Sequence, residues 1–258
     1  MVARRGLLKS IGAGAVAAAA GDFVRPETGR DGTVHALPLA KARACILLDR
    51  SGSMSAVRQA TVDGLNAFLD EQRDKHDLSV SLYQFDCPSG NGALEITETF
   101  VDRPGHLTPK LSLDDYYPRG GTPLRAAVVD GITRLEKFGN DKILLVIQTD
   151  GQDTSSPPEI TMEVVKNLIE SKQKLGNWTF VFLGADIDAW EAGDSMSISK
   201  GNTLQYANTY TGTLGTYTAT AASTNVWYAS SKNQSLNFFA NTATAAPSID
   251  VHLDVEQP

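Results

Sequence analysis

Asp49, Ser51 and Ser53 stand at alternate positions in the stretch Asp49-Arg50-Ser51-Gly52-Ser53. In an extended loop alternate side chains point the same way, so one carboxylate and two hydroxyls converge. Hard oxygen donors in that arrangement suit a small divalent cation such as Mg²⁺. Gly52 lets the backbone turn tightly between the serines. A second reading fits the same residues. Ser and Asp are good helix caps, and Val57, Ala60, Val62, Leu65, Phe68 and Leu69 predict an amphipathic helix over residues 56–73. On this stretch alone, metal binding and capping both stand.

The residues before the acid say where it sits. Cys45-Ile46-Leu47-Leu48 is a short apolar run bounded by turn residues, the pattern of a strand buried on both faces. In open parallel sheets ligands bind at the carboxyl ends of the strands. Two later stretches add donors of the same kind. Arg119-Gly120-Gly121-Thr122 places a hydroxyl after a glycine pair and before a helical pattern. Ile143-Leu144-Leu145-Val146-Ile147-Gln148-Thr149-Asp150-Gly151 is a second buried strand ending in an acid and a glycine.

Asp49-x-Ser51-x-Ser53, then Thr122, then Asp150 resembles the metal-ion-dependent adhesion site of von Willebrand factor type A (VWA) domains. Order and approximate spacing match, and the likeness runs over residues 43–206. It implies a Rossmann-like α/β fold: a doubly wound, mainly parallel sheet with one antiparallel strand and helices on both faces. It also implies roles. Ser51, Ser53 and Thr122 offer oxygens to Mg²⁺ or Mn²⁺, and Asp49 and Asp150 mostly hold waters and orient the hydroxyls. The open position takes an Asp or Glu carboxylate from a protein partner. The family also supplies non-catalytic subunits of metal-chelatase and AAA-ATPase assemblies, which is the alternative reading.

The remaining elements alternate as that fold requires. Strands are expected over residues 78–85, 141–149, 178–183 and 202–206. Residues 94–101 read as the hairpin partner of the second strand. Helices are expected after Pro123, around Met162–Ile169 in the pattern Met162, Val165, Leu168, Ile169, over 187–196 and over 214–230, where Val226, Trp227 and Tyr228 are expected to cover the sheet. Asp86 reads first as a turn residue, with its place at the carboxyl end of a strand leaving it in reach of the metal's outer shell as the alternative; Asp114 and Asp115 read as surface, and Asp186 as a helix cap. Gln152, Asp153, Thr154 and Ser155 extend the loop after Asp150 and border the site.

Residues 1–20 have a charged start, an Ala- and Gly-rich middle and a small-residue end, the pattern of a secretory signal. Arg4-Arg5-Gly6-Leu7-Leu8-Lys9 resembles a twin-arginine signal. The apolar part is too short for a stable membrane span. Export to the periplasm or outside is therefore expected, with a cytoplasmic protein as the alternative. A linker follows over 21–42, the VWA-like domain over 43–232, and a loosely held tail over 233–258.

With a net charge of −7 and no long basic stretch, the 258-residue chain gives no sign of binding nucleic acid. Metal-assisted hydrolysis would need a general base beside the metal-bound water. No histidine neighbours the motif, and no Gly-x-Ser-x-Gly elbow or phosphate loop is present, so the chain is expected not to be an enzyme. Cys45 opens its strand and Cys87 follows another. If those strands are parallel neighbours, the thiols are too far apart for a bridge, which needs Cα atoms within ~7 Å. Two free cysteines are expected. For export, replacing Arg4 and Arg5 together by Lys is expected to strand the protein in the cytoplasm. Cell fractionation finding the unaltered protein there, with residues 1–20 intact, would contradict the signal reading.

Overall fold

A computed structural model describes residues 41–88 and 93–240. The expected signal segment, almost all of the linker and residues 241–258 lie outside the described residues. Six strands form one sheet in the order β3-β2-β1-β4-β5-β6. They are β1 (Ala42–Asp49), β2 (Leu78–Asp86), β3 (Glu95–Pro104), β4 (Lys142–Thr149), β5 (Trp178–Ala185) and β6 (Thr203–Tyr206). All neighbours are parallel except β2 and β3, which form the hairpin. The doubly wound α/β reading and its single antiparallel strand are thus observed.

Both faces of β1, β4 and β5 are covered, which is why these strands carry unbroken apolar runs rather than alternating ones. Ile46 and Leu48 of β1, Leu144 and Val146 of β4 and Val181 and Leu183 of β5 point to one face. They pack there with Val62, Leu65 and Phe68 of α1 (Arg58–Asp70) and Tyr217 and Trp227 of α5 (Tyr210–Ala229). Cys45 and Leu47, Leu145 and Ile147, and Phe180 and Phe182 point to the other. They meet α2 (Leu124–Leu135), α3 (Met162–Gln173) and α4 (Ala189–Ser195).

The two central strands end together. Leu48 pairs with Gln148 across β1 and β4, so Asp49 and Thr149 come next on both strands at the same rim. Asp49 also stands opposite Phe85, one residue before the end of β2. The Asp49 and Thr149 side chains continue the odd-numbered series on their strands, and so share a face.

Several elements differ from the sequence expectation. The helix after the first motif starts later, because Gly52–Val57 forms a 3₁₀ turn before α1 begins at Arg58. Of the Val226–Tyr228 group expected to cover the sheet, Trp227 and Tyr228 pack against the core and Val226 does not. Trp227 is buried and donates its indole N–H to Thr179 Oγ1, but Val226 is exposed. The buried stripe is Thr213, Thr216, Thr220 and Thr224 with Ala221. The hydroxyls of Thr216, Thr220 and Thr224 bond back to carbonyls one turn earlier, so a polar-looking segment can lie against an apolar sheet. Under it, the buried Gln148 donates to Tyr206 and accepts from Tyr217. Residues 233–240 are held rather than loose. Asn202 donates to the Phe180 and Ser235 carbonyls and accepts from the Phe238 N–H, and the Phe238 ring is buried.

Cys45 and Cys87 are both free and buried. Cys45 pairs with Ser81, and Cys87 lies beyond the end of β2, about 20 Å further along at ~3.3 Å per residue. Ellman's titration without reductant should find no reactive thiol in the native protein and two after unfolding. Loss of both on unfolding would require a bridge that this strand order forbids.

Candidate metal centre

Asp49 leaves β1 fully buried. Its Oδ1 accepts from the Ser51 N–H at 2.7 Å and its Oδ2 from Thr149 Oγ1 at 2.7 Å. Ser51 Oγ and Ser53 Oγ lie 3.1 Å apart, and Ser53 Oγ donates to Asp150 Oδ1 at 2.7 Å. Ser51 is buried and Ser53 forms the exposed lip. None of these side chains caps a helix. Ser51 precedes the 3₁₀ turn without a side-chain bond to it, and α1 follows Val57 with no side-chain cap. The capping reading of the motif is therefore not realised.

Thr122 arrives from a separate loop. Its N–H donates to Thr154 Oγ1, and the Thr154 N–H donates back to the Thr122 carbonyl, both at 2.9 Å. Its hydroxyl makes no hydrogen bond among the described residues. It faces Gly151, where an added Cβ would lie 3.8 Å from Thr122 Oγ1. That distance places the Thr122 hydroxyl beside the Asp150 loop. All five residues named from the sequence are brought to one rim.

Burial dominates the electrostatics. It pushes the Asp49 carboxyl up to about 7, against the bonds from Thr149 and Ser51, and the nearby Asp150 adds to the rise. Burial also raises Asp150, partly offset by Ser53 and Asn208. Buried carboxylates are ordinarily paired with a cation, and no basic side chain bonds either of these among the described residues. Arg50, the sequence neighbour of Asp49, is committed to Asp86 and Glu95. Among the described residues no three His, Cys, Asp or Glu side chains converge. The donors are two carboxylates and three hydroxyls, a hard all-oxygen set that fits Mg²⁺ or Mn²⁺ and offers nothing to a soft metal.

Other residues at this rim escaped the sequence reading. Asn208, on the loop after β6, donates its Nδ2 to Asp150 Oδ2 at 3.3 Å. Its place just past a strand end was the available signal. Tyr116 is buried and donates its hydroxyl to the Asp49 carbonyl at 2.7 Å. Asp86 is no turn residue but a fully buried acid bonded by two arginines. The cap of α4 is Asp188, which accepts from the Glu191 N–H, whereas Asp186 accepts from the Asn208 N–H. Asp153 also turns away from the site. It accepts from the Arg125 N–H at 2.7 Å, while Ser156 Oγ accepts from the Ala126 N–H at 3.0 Å. This loop satisfies the first free N–H groups of α2, which has no side-chain cap of its own.

No protein-family profile matches the chain, and no curated protein does either. Solved structures do. The pilus adhesin SpaC from Lactobacillus rhamnosus GG aligns at TM-score 0.56 and 14% identity over 72% of this chain and 31% of that one. The vWF domain of the type V pili tip protein Mfa5 from Porphyromonas gingivalis aligns at 0.54 and 10% over 75% and 98%. A von Willebrand factor type A protein from Catenulispora acidiphila aligns at 0.53 and 14% over 71% and 42%. The fold is that of von Willebrand factor type A domains. This VWA-like chain spans less than half of the SpaC and Catenulispora chains, and identities this low carry the fold alone.

Asp153 supplies a test of the loop beside the site. Burial would raise its carboxyl, but bonds from the Arg125 N–H, Ser156 and the Arg125 guanidinium hold it below the usual carboxylate range. A depressed carboxyl contributes stability above its unfolded pKa and loses it as the pH falls through the folded value. Asp153→Asn should cost about 1–2 kcal/mol in urea unfolding at pH 7. The difference should shrink as the pH drops below about 4. A difference constant from pH 7 to pH 3 would mean that the charge contributes nothing.

Proposed function

We propose that this chain is a non-enzymatic binding module in which a divalent cation, Mg²⁺ or Mn²⁺, joins the site to an acidic side chain of a partner protein. One observation carries the reading. Hydroxyls from two loops and two buried carboxylates meet at one rim, and among the described residues no basic side chain bonds to either acid. Ser51, Ser53 and Thr122 would hold the cation, with Asp49 and Asp150 behind them. When bound, the cation would supply a Lewis-acidic position open to a carboxylate oxygen. The protein's own part is to fix the hydroxyls. Asp49 orients Ser51 through its N–H, Asp150 orients Ser53, and Thr149 and Asn208 hold the two acids in turn. Neutral inner donors leave the cation electron-poor, which favours capture of an external anion.

The likeness to pilus adhesin and pilus tip domains supports a binding role outside the cytoplasm, and the twin-arginine-like start agrees. Among the described residues no helix is long and apolar enough to cross a membrane. Among the described residues no histidine serves as a base at this rim: His76 and His106 lie tilted against each other where β2 begins and β3 ends, at the opposite rim. The chelatase or AAA-ATPase reading needs a cytoplasmic partner, which an exported chain would not meet.

Isothermal titration with Mn²⁺ tests the site. Losing an outer partner of a metal site typically costs about 10- to 100-fold in affinity, and Asp49→Ala is expected to fall in that range. Thr122→Ala should weaken Mn²⁺ binding more than it weakens folding, because its hydroxyl makes no hydrogen bond among the described residues. Equal affinities in all three proteins, or no binding by the wild type, would remove the metal-bridging function while leaving the fold intact.

A further inference from the structure

The loop with Ser51 and Ser53 and the loop with Thr122 come from distant parts of the chain, yet they are tied together away from the five donors. The Arg119 N–H donates to the Arg50 carbonyl at 2.8 Å, and the Gly52 N–H to the Gly120 carbonyl at 3.0 Å. Cys87 and Gly121 exchange both backbone bonds, at 3.0 and 3.1 Å. Gly120 lies at φ 64°, and any Cβ there would strike the Cys87 carbonyl, so this approach requires glycine.

Those backbone ties bring Arg50 and Arg119 side by side, and two guanidiniums repel. Asp86, fully buried at the end of β2, lies between them. Its Oδ1 accepts from Arg50 Nη2 at 3.0 Å, and its Oδ2 from Arg50 Nε at 3.2 Å and Arg119 Nε at 2.7 Å. Glu95, the first residue of β3, accepts from the Nη2 atoms of both arginines. Arg50 sits between Asp49 and Ser51 in sequence, and Arg119 three residues before Thr122. None of the four charged side chains has a hydrogen bond to Asp49, Ser51, Ser53, Thr122 or Asp150 among the described residues.

We infer that Asp86, acting through Arg50 and Arg119, is a positioning residue that fixes the spacing between the serine hydroxyls and the Thr122 hydroxyl. This rests on the metal reading of the site. The backbone bonds join the two loops, and the shared counter-charge holds the two guanidiniums, and with them the loops, in one register. Without it the Thr122 loop keeps its bonds to Thr154 but loses its register on Ser51 and Ser53. A buried ion pair can also be mere scaffolding, so the test separates the two roles.

Arg119→Gln is the mild variant, because Arg119 is the more exposed arginine and Asp86 keeps Arg50. Asp86→Asn is the stronger one, and if it fails to fold Arg119→Gln carries the test. Mn²⁺ affinity and urea stability are measured for wild type, Arg119→Gln, Thr122→Ala and the double variant. Positioning predicts that Arg119→Gln alone weakens Mn²⁺ about tenfold. In the Thr122→Ala background it should weaken Mn²⁺ by less than about twofold, because the hydroxyl it places is gone. Scaffolding predicts equal stability losses in both backgrounds and unchanged Mn²⁺ affinity, which would overturn the inference alone. A wild type that binds no Mn²⁺ would overturn the metal reading and the inference with it.

Discussion

Two carboxylates without a cationic partner, drawn out of water at the carboxyl ends of β1 and β4, set the problem that the rest of this rim answers. Isolated buried carboxylates are costly and tend to take up a proton instead, and Asp49 is raised in that direction. Hydrogen bonds from Thr149, the Ser51 N–H, Ser53 and Asn208 lower the cost without supplying positive charge. On the proposed reading, a divalent cation would supply the positive charge that no basic side chain supplies here among the described residues.

The fold bears that cost because the sheet beneath is packed on both faces. Apolar side chains alternate between two helix layers along β1, β4 and β5, and the rim needs to contribute little to stability. It can be spent on geometry instead. Charges near the site are sorted accordingly: Arg50 and Arg119 are directed to Asp86 and Glu95, away from the donors. A basic side chain lying on Asp49 or Asp150 would have neutralised the site from within.

Most of the fold and all five candidate donors were legible in the sequence. Asp49 and Asp150 each end an apolar run, and a strand end is where a doubly wound sheet exposes its chemistry. Thr122 was legible because a glycine pair before a helix marks a tight loop. What stayed hidden depends on pairing across the sheet. Asp86 looks like a turn residue beside Cys87 and Pro88; its arginines come from two other loops, and no local pattern joins them. Tyr116 was masked by the acids before it. The buried face of α5 was legible only in part: Trp227 and Tyr228 pack against the core, but Val226 is exposed, and threonines that bond to their own helix fill much of the buried stripe.

The central claim is that Ser51, Ser53 and Thr122 jointly hold a divalent cation over Asp49 and Asp150. Crystals grown with Mn²⁺ and measured for anomalous scattering test it most directly. The account predicts one strong anomalous peak at this rim, within inner-sphere distance of all three hydroxyl oxygens, with the Ser51–Ser53 hydrogen bond replaced by bonds to the ion. Well-diffracting crystals with no such peak, with the hydroxyls still bonded to each other, or with manganese bound only elsewhere would contradict it.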